Sequence, residues 1–249
     1  MCVGRLDPPS TGGPDARMIM EGDAMHRMWV AGAAVLMSLA LGGEALEAAA
    51  RTPLDFNISV NSGAEHRRGG GGEVVPIPLW KTTSRMTAVK YGTPGFPSKA
   101  VARTSFGEKN FFYCGRHTAR SKAIQRIGIH RRNRIIDRGD LFLKLTVRIG
   151  STTEAGDAGR MIVRYIDGDR REIGKLRTED VGATDGLMIK LKTSGAVPEG
   201  TRALRVVLRG TRTAGTRCDV FFDNVSVKLV RSLESVSPQP LGVPVVRAP

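Results

Sequence analysis

The sequence predicts an all-β chain folded as a jelly-roll-type, two-sheet antiparallel β-sandwich. Three observations lead there. About ten short segments alternate apolar with polar residues, the period of a half-buried strand. They follow one another at spacings of roughly 8–15 residues, with Gly, Pro, Asn and Asp between them. No long stretch repeats its apolar residues at a helical period, and no internal repeat is evident.

The first 50 residues stand apart. The run 29–41 (WVAGAAVLMSLAL) follows Met25-His26-Arg27 and precedes Ala48-Ala49-Ala50. A basic start, an apolar core of about 13 residues and small residues after it have the anatomy of a signal peptide; a bilayer span needs about 20. Residues 1–50 are read as a leader, with the signal peptide near 25–50 and cleavage near Ala50. A short buried or anchoring helix is the alternative. Residues 1–24 are unusual ahead of such a signal, and Met18, Met20 and Met25 are alternative starts. Residues 51–231 then make the sandwich, and 232–249, with four prolines, a disordered tail. The expectation is a secreted or periplasmic, cell-envelope protein that is not integral to the membrane after cleavage.

Within 51–231, Phe56, Ile58 and Val60 alternate with Asn57, Ser59 and Asn61, a first strand ending in the turn Asn61-Ser62-Gly63. Residues 66–73 (HRRGGGGE) form a Gly-rich loop. No Lys-Ser/Thr and no helical pattern follow the glycines, so they do not read as a phosphate cradle. Prolines keep 75–80 extended. Strands follow at 86–91, 111–115 and 121–129, the last leading into the basic loop 130–134 with Arg131, Arg132 and Arg134. Residues 141–149 alternate most clearly: Leu141, Leu143, Leu145, Val147 and Ile149 against Phe142, Lys144, Thr146 and Arg148. Asp167-Gly168-Asp169 marks a hairpin between 161–166 and 171–176. A further strand spans 187–192.

The stretch 201–230 reads as two long strands joined by a polar loop at 213–216. Leu204, Val206 and Leu208 define the apolar face of the first. In the second, Phe221, Asp223, Val225, Val227 and Leu229 share one side. Asp223 thus falls on the side expected to be buried, and a buried carboxylate needs a cation, hydrogen-bond donors or a raised pKa.

The chain has 249 residues and a formal net charge of +14. Residues 51–249 hold 35 Lys and Arg against 18 Asp and Glu, a net of +17. Such an excess favours polyanions, and its bland alternative is a solvated Arg-rich surface. Cys114 and Cys218 are the cysteines beyond the leader. In an oxidising compartment they are expected to pair across a loop of about 100 residues, with two separate thiols as the alternative.

Three places resemble secreted modules of the galactose-binding-like β-sandwich, which include many carbohydrate-binding modules. Asn61-Ser62-Gly63-Ala64-Glu65 resembles the group's early Asn-x-Gly-x-Glu element. Residues 107–115, with Phe111-Phe112, resemble its Gly-x-x-Phe-Phe strand. Residues 197–202 (VPEGTR) through Asp223-Asn224-Val225-Ser226 resemble its closing hairpin and terminal Asp-Asn-Val strand. The resemblance implies a structural calcium held by Glu65 and Asp223, since calcium takes six to eight hard oxygens at about 2.3–2.6 Å. The alternative is that Asp223 caps backbone donors or pairs with an arginine.

Many members of that group stack sugars on exposed aromatic residues. This chain is only 5% aromatic, and Trp80, Tyr91, Phe96 and Phe142 are its candidates, with core or loop anchoring as the competing role. Lys144, Arg148, Arg164, Lys190, Lys192, Arg205 and Arg209 fall on the polar strand faces instead. Guanidinium and ammonium groups bind sulfate, uronate or phosphate through charge-assisted hydrogen bonds. His66, His117 and His130 lack a second His or Cys at metal-ligand spacing, and no nucleophile or zinc motif is present. The sequence therefore reads as a non-catalytic, exported module that binds carbohydrate, specifically acidic polysaccharide. A structural or adhesive envelope protein that binds another protein is the alternative. A general binder of nucleic acid or anionic lipid comes third, with nucleic acid disfavoured.

Overall fold

The computed structural model describes residues 54–152 and 157–231; the leader and tail expected at 1–50 and 232–249 lie outside the described residues. The chain forms β1 (Lys81–Thr83), β2 (Thr87–Lys90), α1 (Lys99–Thr104), β3 (Asn110–Arg116) and β4 (Arg120–Gly128). A 3-10 turn (His130–Arg132) runs into α2 (Asn133–Ile136). Then come β5 (Phe142–Ser151), β6 (Ala158–Ile166), β7 (Glu172–Arg177), β8 (Ile189–Ala196), β9 (Ala203–Thr211) and β10 (Arg217–Val230). Two five-stranded antiparallel sheets result, ordered β1-β4-β9-β6-β7 and β2-β3-β10-β5-β8. The expected β-sandwich is the fold observed.

The alternating segments bury their apolar sets between the sheets. Leu143, Leu145, Val147 and Ile149 from β5, and Leu141 just before it, meet Leu204, Val206 and Leu208 from β9, all within the central core. The long strands β9 and β10 do not pair with each other. Each is the middle strand of its own sheet, and the chain crosses between sheets over 212–216. Asp157 pins this crossover, its carboxylate accepting the N–H groups of Thr213 and Asp219 at 2.8 Å each. Cys114 on β3 is bonded to Cys218 on β10, with Cα atoms 5.4 Å apart. The bridge lies against Gly210 of β9, where an added side-chain carbon would sit 2.5 Å from Cys114 Sγ.

Strand parity in β10 changes midway. Cys218, Val220 and Phe222 point into the inter-sheet core, and so do Val225, Val227 and Leu229. The even set gives way to the odd set through a β-bulge between Asp223 and Ser226, where Asn224 has φ 49°. Phe221 and Asp223 therefore face outward, contrary to the single alternation read from the sequence. They are nevertheless buried, because the segment 91–107 with α1 covers that part of the sheet. Phe221 packs there with Val89, Tyr91, Phe111 and Tyr113 in a second apolar cluster.

Two further expectations change. Phe56 and Val60 are exposed, at 41% and 48%, so 54–62 is not a half-buried strand. It runs beside β10, with the Asn57 side-chain oxygen accepting the Val227 N–H (2.9 Å) where a main-chain carbonyl would stand in a ladder. The basic loop 130–134 forms short helical turns anchored by buried Ile129 and Ile136.

The disulfide closes a separation of 104 residues. Its loss is expected to lower stability by about 2–4 kcal/mol. Urea unfolding of the full chain with and without reductant measures this, and coincident midpoints would contradict it. Alkylation without reductant should label neither Cys114 nor Cys218.

Candidate functional site

A groove runs over the covered outer face of the second sheet, in three adjoining depressions. The first, about 760 Å³, lies between the 66–68 loop, α1 and the start of β3, and is lined by Arg67, Arg68, Lys90, Lys99, Arg103 and Lys109. The second, about 240 Å³, shares Glu65, His66 and Glu108 with the first and adds Asp223. The third, about 300 Å³, shares Ser62 and Asn224 with the second and adds Phe106, Arg148 and Lys190. Cations thus stand at both ends and carboxylates in the middle.

Glu65 and Asp223, far apart in sequence, converge at this centre. A side-chain carbon placed on Gly63 would lie 2.9 Å from Asp223 Oδ1 and 3.5 Å from Glu65 Oε1. One placed on Gly107 would lie 2.5 Å from Asp223 Oδ2. Both glycines keep open a small space that carboxylate oxygens face. Glu65 Oε1 accepts the Lys109 and Asn110 N–H groups (3.0 and 2.8 Å), and Oε2 accepts the Asn110 side-chain amide. Asp223 Oδ2 accepts the Tyr91 hydroxyl at 2.7 Å and Oδ1 the Asn224 N–H at 2.7 Å.

These donors do not fully compensate the charge. Burial pushes the Asp223 carboxyl up to about 7, against the lowering effect of its two hydrogen bonds, and the Glu65 carboxylate raises it further. Burial also raises Glu65, opposed by its backbone donors. Burial and then the Asp223 charge raise the Tyr91 phenol far out of the physiological range. Among the described residues Asp223 forms no ion pair with an arginine: Arg148, its cross-strand neighbour, instead donates to the Met188 carbonyl at 3.2 Å.

The oxygen-only donor set suits a hard cation. Asp223 Oδ1 and Oδ2 each accept one hydrogen bond, keep lone-pair capacity and lie against the glycine cradle. Calcium held here would take Glu65 and Asp223 as its side-chain ligands, and its charge would relieve the raised carboxyls. Among the described residues no group of three or more Asp, Glu, His or Cys side chains is placed to hold a metal ion, so oxygens other than side-chain carboxylates would complete the shell.

The backbone around the groove is strained. Asn61, Ala64, Phe106 and Asn224 all have left-handed φ, between 49° and 61°. A phenylalanine there is uncommon and costs about 1–3 kcal/mol. Asn224 holds it, its side-chain amide donating to the Ser105 and Phe106 carbonyls at 2.6 and 2.8 Å. Phe106 is 80% exposed, and the Arg148 guanidinium lies 5.6 Å from its ring centroid. Phe106 escaped the sequence reading. The available signal was a lone large apolar residue between Ser105 and Gly107, outside any alternating segment.

The predicted basic residues divide between two faces. Lys144, Arg148, Lys190 and Lys192 lie on the outer face of the second sheet, where Lys190 is directly opposite Arg148. Arg164, Arg205 and Arg209 lie on the outer face of the first sheet, on the other side of the molecule. Arg131 and Arg134 are exposed on the helical turns after β4, away from both faces. Arg132 is half-buried there, its guanidinium 5.8 Å from the Phe56 ring.

Trp80 and Tyr91 are corrected as sugar platforms: both are buried. Trp80 donates Nε1–H to the Val60 and Asn61 carbonyls and packs edge-on against Phe112. Phe96 anchors its loop on Tyr113, 4.9 Å between centroids.

No family model and no curated protein matches this chain. Solved structures do match in fold. A Stig cyclase from Fischerella sp. TAU shares 14% identity at TM-score 0.51, over 73% of this chain and all of that one. A family 16 carbohydrate-binding module shares 18% identity at TM-score 0.45, over 70% of this chain and 99% of that one. The enzymatically active domain of a bacteriophage CBA120 tailspike shares 12% identity at TM-score 0.46, over 70% of this chain and only 22% of that one. This likeness is one of fold.

The Asp223 shift has a signed consequence. With a folded pKa near 7 and an unfolded value of about 3.9, the folded chain keeps a proton that the unfolded chain releases. The resulting stabilisation is full below about pH 4 and is lost as pH rises through about 7. In cation-free buffer, thermal melts should show this decline in the wild type, and Asp223→Asn should largely remove it. Parallel pH profiles would refute the assignment.

Proposed function

We propose that the protein is an exported, non-catalytic module that binds acidic polysaccharide in this groove, with calcium at the Glu65–Asp223 centre. The observation that carries the reading is Phe106: an exposed ring, fixed by Asn224 on a strained backbone, in one cleft with Arg148 and Lys190. A pyranose ring stacks on the open aromatic face, while the two cations take a carboxylate or sulfate on the same or the next sugar. Calcium neutralises the acidic middle, so that an anionic chain meets favourable charge along the groove.

Catalysis fits poorly. A general acid must come within hydrogen-bond reach of the bond it cleaves. Asp223 is 1% exposed beneath Gly63 and Gly107, and Glu65 is occupied by three N–H donors. A bare cation enters a space from which a sugar is excluded.

Binding of the full chain to neutral and acidic polysaccharides, with duplex DNA as control, tests the reading at low and near-physiological salt. Retention of an acidic glycan at the higher salt is expected. Phe106→Ala should weaken it at least about tenfold, or ~1.4 kcal/mol. Binding to every polyanion, lost with salt and indifferent to Phe106→Ala, would favour the structural or adhesive envelope reading.

Calcium has a separate test. Saturating calcium should raise the melting temperature by about 5–10 °C. EDTA should reverse this, and the effect should be larger at pH 8 than at pH 5. A melting temperature unmoved by calcium or EDTA would remove the metal from the account.

A further inference from the structure

The outer face of the first sheet has an order of its own. Across β4, β9 and β6, Lys122, Arg209 and Arg160 stand side by side. Four residues along the same strands, Arg126, Arg205, Arg164 and Lys175 form a second row, now across four strands. Between the rows lie Ile124, Val207 and Ile162. Val207 and Ile162 point away from the core yet are only 5% and 6% exposed, as expected where long cationic side chains lay their stems over them.

Like charges directly opposite one another destabilise a sheet. Here they are stacked strand after strand. Burial and then the neighbouring charges of Arg120 and Arg160 lower the Arg209 pKa. The mutual repulsion of the heads opposes folding, and few anions offset it. Asp180 pairs with Arg160 and Glu172 with Arg164, whereas among the described residues no carboxylate reaches Lys122, Arg126, Lys175 or Arg205.

We propose that this face is a second binding site, for a linear polysaccharide bearing an acidic group on every residue, laid across the strands along the Arg126–Arg205–Arg164–Lys175 row. The inference takes its class of ligand from the groove reading but shares no residue with the groove. Neighbouring strands are about 4.8 Å apart, so the row offers a cation at each step, close to the length of one pyranose residue. Sheet twist, about 20–25° per strand, tilts successive strands away from a flat surface such as a bilayer. A chain running in the hydrogen-bonding direction stays in contact with the row. With the groove on the opposite face of the sandwich, the domain holds two chains at once and cross-links them.

The test uses the full chain and polygalacturonate, with duplex DNA at equal charge as competitor. Arg126→Gln/Arg205→Gln/Lys175→Gln removes three cations without breaking an ion pair. It should lower affinity at least tenfold, reduce the slope of log K against log salt by about 2 and abolish the turbidity that cross-linking produces. Arg126→Lys/Arg205→Lys retains the charges and should retain binding, which separates charge loss from misfolding. Unchanged affinity, slope and turbidity in the triple variant would overturn the proposal, as would displacement of polygalacturonate by DNA. Phe106→Ala separates the two readings. If it alone weakens binding, the second face fails; if only the triple variant does, the groove fails and the row stands.

Discussion

The break of parity in β10 is the constraint on which the site depends. If Asp223 shared the parity of Val225, Val227 and Leu229, it would project between the sheets into the apolar core. The bulge with left-handed Asn224 instead turns it outward, toward the Tyr91 hydroxyl and Gly107. The same turn aims the Asn224 amide at the Ser105 and Phe106 carbonyls. One local irregularity thus places the carboxylate, its hydrogen-bond partner and the exposed ring together. The cost is a carboxylate whose charge is incompletely balanced by its two hydrogen bonds.

The rest of the sandwich makes that irregularity affordable. β10 is the longest strand and sits between β3 and β5 at the middle of its sheet. Its first half is tied to β3 by the disulfide, which packs against Gly210. Its second half is flanked by the 54–62 segment, with Asn57 bonding both the Val225 carbonyl and the Val227 N–H. The bulge therefore lies between two well-held stretches. Because β9 centres the opposite sheet, the basic residues of β9 and of β5 emerge on opposite sides of the domain. A high net charge is thereby resolved into two separate surfaces of different shape, one grooved and one ridged by aligned rows.

Much of the fold was legible because its signal is local. The alternations in β5 and β9 and the Asp-Gly turn after β6 each specify a strand without reference to the rest of the chain. The disulfide followed from cysteine count and compartment. Glu65 is legible through motif resemblance and Asp223 also through its expected burial; the structure brings them together and does bury Asp223, on the outer face of the sheet instead of the inner one. A bulge inserts no unusual residue that a period-two reading can detect, so Phe221 and Asp223 were placed on the wrong face. Phe56 and Val60 alternated well enough to look like a strand, but the Asn57 side chain replaces a ladder bond there. Six-residue α1 is too short to declare a helical period. Phe106 depends on a backbone held by Asn224, 118 residues away, and the cation rows depend on register across four strands. Both are products of tertiary pairing that no single segment encodes.

The proposed binding of an acidic glycan in the groove is open to direct observation. Amide chemical-shift mapping of the isotopically labelled chain, titrated with a short uronic-acid oligosaccharide in the presence of calcium, addresses it most directly. Perturbations are expected at Ser62, Phe106, Gly107, Arg148, Lys190 and Asn224, which surround the ring and its flanking cations. Silence at these amides under saturating oligosaccharide, whatever happens on the opposite sheet, would contradict it.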